Sequence, residues 1–429
     1  MREVSPIWHP MTQHALLPES IHIERAEGAY LHTKDERAII DGISSWWVNT
    51  HGHCHPKIVK AVQAQAAKLE QVIFAGFTHE PAEELARKLL RLAHDDLEFV
   101  FFSDSGSTAV EVALKMAIGY FEHIGAPRRK RIVALEGGYH GDTFGAMSAG
   151  GRGVFNKLYE PYLFNVTHLP FPHAGEESKT IEKLEILLRG GDVAALIVEP
   201  LVQGASGMRF YSSETLKEMR KLCSAHGALL IADEVMTGFG RTGAMFACEK
   251  AGIAPDLMCL SKGLTGGFLP MGATLASKEI YMAFYDDDRS KTFFHSSSFT
   301  GNALACAAAV ANLEVWATEP TSTYIRSIEK AHDKAAGWFY ARPDVEAVRV
   351  MGSIFAMDIR DNNGKGYLSE IGPKIYEFML ENDILLRPLG NTVYILPPYC
   401  IKPEDLETIY ETLWRCLDHI RDERSQRAA

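Results

Sequence analysis

Short apolar runs alternate along this chain with stretches whose apolar positions recur every three or four residues. Leu97-Glu-Phe-Val-Phe-Phe102 has the length and continuity of a buried strand. After it, Val110, Leu114, Ala117, Ile118 and Phe121 mark one apolar face of a helix. Further strands are predicted over 131–135, 194–198, 228–232 and 257–260, with a helix over roughly 213–226. This alternation predicts an α/β fold, a mostly parallel sheet flanked by helices on both faces. From about Glu314 the pattern changes to longer helices with few short strands, which predicts a smaller α+β domain. The division expected is residues 51–313 as the large domain and 314–429 as the small one. Residues 1–50, too few for a domain of their own, are expected to pack against the small domain.

Composition adds boundaries. The 429 residues are 46% hydrophobic and 23% charged, enough for one large core and a second, smaller one. A net charge of −11 without a basic stripe argues against nucleic acid as a partner. The run Arg128–Arg131 reads as a solvated helix end. Seven scattered cysteines without a CxxC pair fit a reducing compartment. No signal-peptide core and no apolar run of roughly 20 residues is found, so the expectation is a cytoplasmic protein without a membrane partner.

Candidate chemistry gathers at strand ends. Asp233 closes the apolar run Ala228-Leu-Leu-Ile-Ala232, and Lys262 follows the next predicted strand. Carboxyl ends of adjacent strands in an open α/β sheet border one ligand crevice. A lysine and an acid there match the needs of pyridoxal 5′-phosphate (PLP): an amine to bond the cofactor, and a carboxylate for its ring nitrogen. Taken singly, Asp233 could be a helix cap and Lys262 a solvated loop lysine. Ser103-Asp-Ser-Gly-Ser-Thr108 stands between a strand and a helix, where backbone N–H groups can receive a phosphate or merely a cap. Gly137-Gly-Tyr-His-Gly-Asp142 offers a tight turn and, in Tyr139, either a stacking face or a core ring.

Two motifs point elsewhere. Gly238-Phe-Gly240-Arg-Thr-Gly243 matches a dinucleotide fingerprint, but too little chain follows before Pro255 for the required helix, and no acid ends the next strand. His51-Gly-His53-Cys54-His55-Pro could ligate a metal, yet reads more simply as a loop opening a helix over 57–68.

With these residues in place, the chain resembles the class III (ω-type) aminotransferases of PLP fold type I from about Trp8 to Trp414. The resemblance rests on Leu229-Leu-Ile-Ala-Asp233-Glu-Val-Met-Thr-Gly238-Phe-Gly-Arg-Thr-Gly243 and Leu260-Ser-Lys262-Gly-Leu-Thr-Gly-Gly267. Within the class it is most similar to the 7,8-diaminopelargonate synthase subgroup, through Trp8-His-Pro10, Asp41-Gly-Ile-Ser-Ser-Trp-Trp47, Gly138-Tyr-His-Gly-Asp-Thr-Phe-Gly-Ala-Met-Ser148 and Arg387-Pro-Leu-Gly. The resemblance implies that Lys262 holds PLP and shuttles a proton, that Asp233 pairs with the ring nitrogen, and that Tyr139 stacks on the ring. It further implies phosphate contacts from Gly106 and Ser107, with Ser298 supplied by the partner of a homodimer. His140 and Glu199 complete the cofactor's surroundings, and Arg241 supports the site. Trp47 and Tyr394 would line the substrate channel, and Arg387 would grip a carboxylate.

The reaction so implied is amination of 7-keto-8-aminopelargonate, a step of biotin synthesis, with S-adenosylmethionine or lysine as donor. Two positions depart from the subgroup. Met11 replaces a usual aromatic in the donor pocket, leaving the donor open between these and a simpler amine. Ser298 replaces a usual threonine but keeps the hydroxyl. A broader ω-amino acid or amine:pyruvate transaminase would use the same machinery. A PLP-free α/β binding protein would make the pairing of Asp233 with Lys262 a coincidence.

Overall fold

Seven strands form the central sheet of the computed structural model, which describes residues 6–16, 20–361 and 366–428. In chain order they are β1 (Leu97–Ser103), β2 (Arg131–Leu135), β3 (Val166–Leu169), β4 (Val193–Val198), β5 (Leu229–Asp233), β6 (Leu257–Leu260) and β7 (Gly272–Ser277). Their spatial order is β1-β7-β6-β5-β4-β2-β3. Only β7 runs antiparallel to its neighbours; the pairings from β6 through β3 are parallel. Strands β4 and β5 are buried along their whole length, which is why they read as unbroken apolar runs.

Helix α1 (Gly106–His123) follows β1 and buries Val110, Ala113, Leu114, Ala117 and Phe121. Ile118, expected on that face, is exposed. It lies one residue, about 100° of helix turn, beyond Ala117 and points away from the sheet. Helix α2 (Ala303–Thr318) is alanine-rich and buried almost all round. It spans residue 313 and continues to Thr318.

Beyond α2 lies an antiparallel sheet of Val345–Met351, Ile354–Ile359 and Thr392–Ile395. The helices Thr321–Phe339 and Pro403–Ala428 pack there. Near the N-terminus, Ile23–Glu27, Tyr30–Thr33 and Ala38–Asp41 form a meander whose last strand pairs in parallel with Ile384–Leu385. The two chain ends thus share one sheet. Among the described residues no helix is long and apolar enough to cross a membrane.

Candidate active site

Strands β5 and β6 pair with Asp233 opposite Cys259, so a short turn after β6 brings Lys262 to the same edge of the sheet. That turn is tight. Lys262 has φ of 42° and begins a single 3₁₀ turn, Lys262–Thr265. A left-handed backbone costs a lysine about 1–2 kcal/mol, so neighbouring contacts must hold it. The Lys262 amine is buried, with Nζ 4.9 Å from the centre of the Trp47 ring. Burial pulls its pKa down to about 8, against the attraction of Asp233 and Glu199, and Arg241 adds to the lowering.

Asp233 accepts from Val235 N at 3.1 Å through Oδ1, and its Oδ2 lies 2.7 Å from His140 Nδ1. Burial opposes a charge on His140, but the hydrogen bond and charge of Asp233, aided by Glu199, hold its pKa above the ordinary histidine value. Glu199 accepts from the backbone amides of Tyr139 and Gly204, at 3.0 and 2.9 Å. Burial nevertheless pushes its pKa up to about 7, with Asp233 adding to the rise.

The start of α1 faces the same space. Ser105 caps the helix through Thr108 N, which leaves the amides of Gly106 and Ser107 without helical acceptors. The Ser107 hydroxyl accepts from Asp142 N at 3.2 Å. A side chain at Gly106 would meet Val235 Cγ1 at 2.6 Å, and one at Gly141 (φ 130°) would fall on Ser107. The backbone is therefore open there by construction.

Trp47, Gly106, Ser107, Tyr139, His140, Glu199, Asp233 and Lys262 together line a cavity of about 150 Å³. Tyr139 also borders a wider cavity of about 490 Å³ that reaches Arg152, Arg209 and Thr392. Trp47 is 4% exposed against 37% for Trp46, so only the second tryptophan of the pair faces inward. Its ring meets Tyr394 edge-on at 5.9 Å, and Tyr394, fully buried behind it, lines neither cavity. Arg387 lies outside both cavities, its guanidinium 5.0 Å from the Trp46 ring and donating to the Met11 carbonyl at 3.1 Å. Met11 is exposed and also lines neither cavity. Ser298 is exposed and lines neither cavity of its own chain.

Arg241 is fully buried and donates to the carbonyls of Trp47, Asn49 and Pro397, which ties down the segment bearing Trp47. The glycine-rich run around it turns back after β5 into a helix of only five residues, Ala247–Ala251. Within the histidine tract His53 bonds Asp41, His55 approaches Glu319, and His51 packs edge-on against Trp316 and His55. Three contributors carry no mark in the sequence. Val235 and Met236 line the cavity, and Asn312 bonds the turn that carries Lys262. Asn312 sits in a helix without a polar face, so no periodicity signals it.

The site thus offers a buried amine, a buried carboxylate with a histidine on it, and open backbone amides at a helix start. Comparison with known proteins agrees with this geometry. The aminotransferase class-III model matches residues 12–417. An adenosylmethionine-8-amino-7-oxononanoate aminotransferase from Synechococcus elongatus is 49% identical, covering 96% of this chain and 99% of the relative. The crystal structure of the enzyme of that name from Methanocaldococcus jannaschii superposes with a TM-score of 0.90 at 34% identity, covering 96% and 97% of the two chains. An amine transaminase from an uncultivated Pseudomonas species, solved with PLP bound, gives 0.91 at 31% identity, covering 97% and 99%. With a lysine and an aspartate at adjacent strand ends and this match along nearly its whole length, the chain belongs to the class-III aminotransferase family, on the PLP fold type I architecture.

Proposed function

We propose that this aminotransferase binds PLP on Lys262 and transfers an amino group to 8-amino-7-oxononanoate (7-keto-8-aminopelargonate), giving the 7,8-diamine used in biotin synthesis. The observation that carries the reading is the buried Lys262 amine in one cavity with Asp233. The substrate follows from the relative at 49% identity over nearly the whole of both chains.

The residues fit PLP. Open amides at Gly106 and Ser107 suit its phosphate. Tyr139 and Trp47 border the cavity where a flat ring would stack. When bound, PLP supplies an electron sink for the carbon that loses or gains the amino group. Asp233 would accept a hydrogen bond from a protonated ring nitrogen, its carboxylate oriented by His140 and the Val235 amide. Lys262, deprotonated above about pH 8 when free, takes and returns the proton at the substrate carbon. Glu199, held by two backbone amides, keeps the turn bearing Tyr139 in place. Arg387, which donates to the Met11 carbonyl, would receive the acceptor's carboxylate beside Trp46.

The amino donor is S-adenosylmethionine in this reading, after the relative's name, with lysine as the substitute that Met11 would permit. The chain works as a homodimer: Ser298 lies outside its own cavity, and exposed Phe294 and Phe299 beside it supply an apolar contact surface for a partner whose phosphate it completes. The chain ends, joined through Ile40 and Ile384, form one small unit against the large one. A reducing, cytoplasmic setting suits the seven free cysteines.

The likeness to an amine transaminase favours one alternative, a broader ω-transaminase. Incubating purified protein and PLP with 8-amino-7-oxononanoate and each donor, and measuring the diamine by mass spectrometry, separates the two. Diamine formed with S-adenosylmethionine or lysine supports the proposal. Turnover of simple amines with pyruvate, without diamine, supports the alternative.

A further inference from the structure

Helix α2 is buried almost all round, and Asn312 is the one amide among its buried residues. A buried amide is costly unless its groups are bonded. Here Nδ2 donates to the Gly263 carbonyl at 2.9 Å and to the Leu264 carbonyl at 3.1 Å, the first two residues after Lys262. Its Oδ1 accepts from the Thr50 hydroxyl at 3.4 Å. Thr50 belongs to the segment that carries Trp47, and its carbonyl is anchored by Tyr399 N at 2.7 Å. One side chain therefore joins the turn bearing the amine to the segment bearing the ring beside it. The turn needs such a tie. Lys262 holds a left-handed backbone, and Gly266 and Gly267 after it do the same, so no regular helix or strand fixes the lysine's direction. A side chain at Gly266 would meet Asn312 Oδ1 at 2.8 Å, so the glycine leaves room for the amide.

We infer that Asn312 is a positioning residue for the amine chemistry of Lys262, setting the lysine turn against the Trp47 segment through bonds to both. The inference rests on the reading of Lys262 as the PLP-bearing lysine. Its closing experiment is the rate at which unloaded protein takes up PLP, trapped with borohydride and located by peptide mass spectrometry, across pH 6–10. Wild type, Asn312→Ala and Thr50→Val are compared, with thermal unfolding of each.

In the expected result, Asn312→Ala slows attachment at Lys262 at least about ten-fold, as loss of orientation does. The pH midpoint for attachment also rises, because a loosened turn lets water reach the amine. Thr50→Val, which keeps both bonds to the turn, shows a smaller effect in the same direction and serves as the test should Asn312→Ala not fold. Variants that lose thermal stability yet attach PLP at the wild-type rate and midpoint would make Asn312 a packing residue only and overturn the inference. Failure of wild type to attach PLP at Lys262 would overturn the functional reading itself, and the inference with it.

Discussion

His140 Nδ1 lies 2.7 Å from Asp233 Oδ2, with both side chains buried at the carboxyl edge of the sheet. One oxygen of the acid is thus paired with the histidine, while the other is held by the amide of Val235. The carboxylate cannot turn without breaking one of these bonds. Asp233→Asn keeps the shape but removes the charge that would stabilise a cationic ring. It should lower kcat by about 10²–10³, the usual cost of losing such an electrostatic partner. His140→Asn should cost less, since Asp233 keeps its charge. Steady-state kinetics on both variants check the order; equal losses would contradict it.

Burial of Lys262 has a visible pH consequence. An ordinary lysine becomes an effective nucleophile only near pH 10.4, whereas this amine loses its proton at about 8. Attachment of PLP to unloaded protein should therefore accelerate as pH rises through about 8 and level off above it. Stopped-flow absorbance at a series of pH values measures this. A rate still climbing steeply beyond pH 10 would show an ordinary lysine.

His51 should make the protein acid-sensitive. In the unfolded chain its ring is protonated below 6.5, but burial, with His55 and Arg241 nearby, holds the folded pKa down to about 3, with Glu319 opposing. Between those values the unfolded state binds more protons, so stability falls as pH drops from 6.5 toward 3. His51→Phe should flatten that decline. Urea unfolding at pH 7, 5 and 4 gives the slope, and parallel curves for wild type and variant would refute it.

Arg387→Ala should raise KM for a carboxylated acceptor about ten- to hundred-fold, the scale of a hydrogen bond to a charged group. Turnover of an uncharged amine acceptor pair should change little. An unchanged KM for the carboxylated acceptor would leave Arg387 as a tether for Met11 and Trp46 alone.

Much of this was readable from the chain because burial on both faces leaves a plain mark. Strands β4 and β5 are continuous apolar runs, and Asp233 interrupts the second where a crevice opens. Other features left no such mark. Strand β7 reads Gly-Ala-Thr-Leu-Ala-Ser, small residues without a strand's bulk, and β3 reads Val-Thr-His-Leu, with no apolar run. Trp46 and Trp47 are adjacent and chemically alike; non-helical backbone at Ser45 and Trp46 sends one outward and the other in. Asn312 depends on two carbonyls distant in sequence, and a backbone acceptor carries no signature in side-chain identity. Ser298 lies outside its own cavity, and only the family resemblance suggested a role for it.

The most direct test of the whole account is to add PLP to purified protein, reduce with borohydride and map the modified peptide. The account predicts a single pyridoxyl group on Lys262, absent from Lys262→Ala, which should also lose at least about a thousand-fold in transamination rate. A label on another lysine, or an equal label in Lys262→Ala, would contradict it.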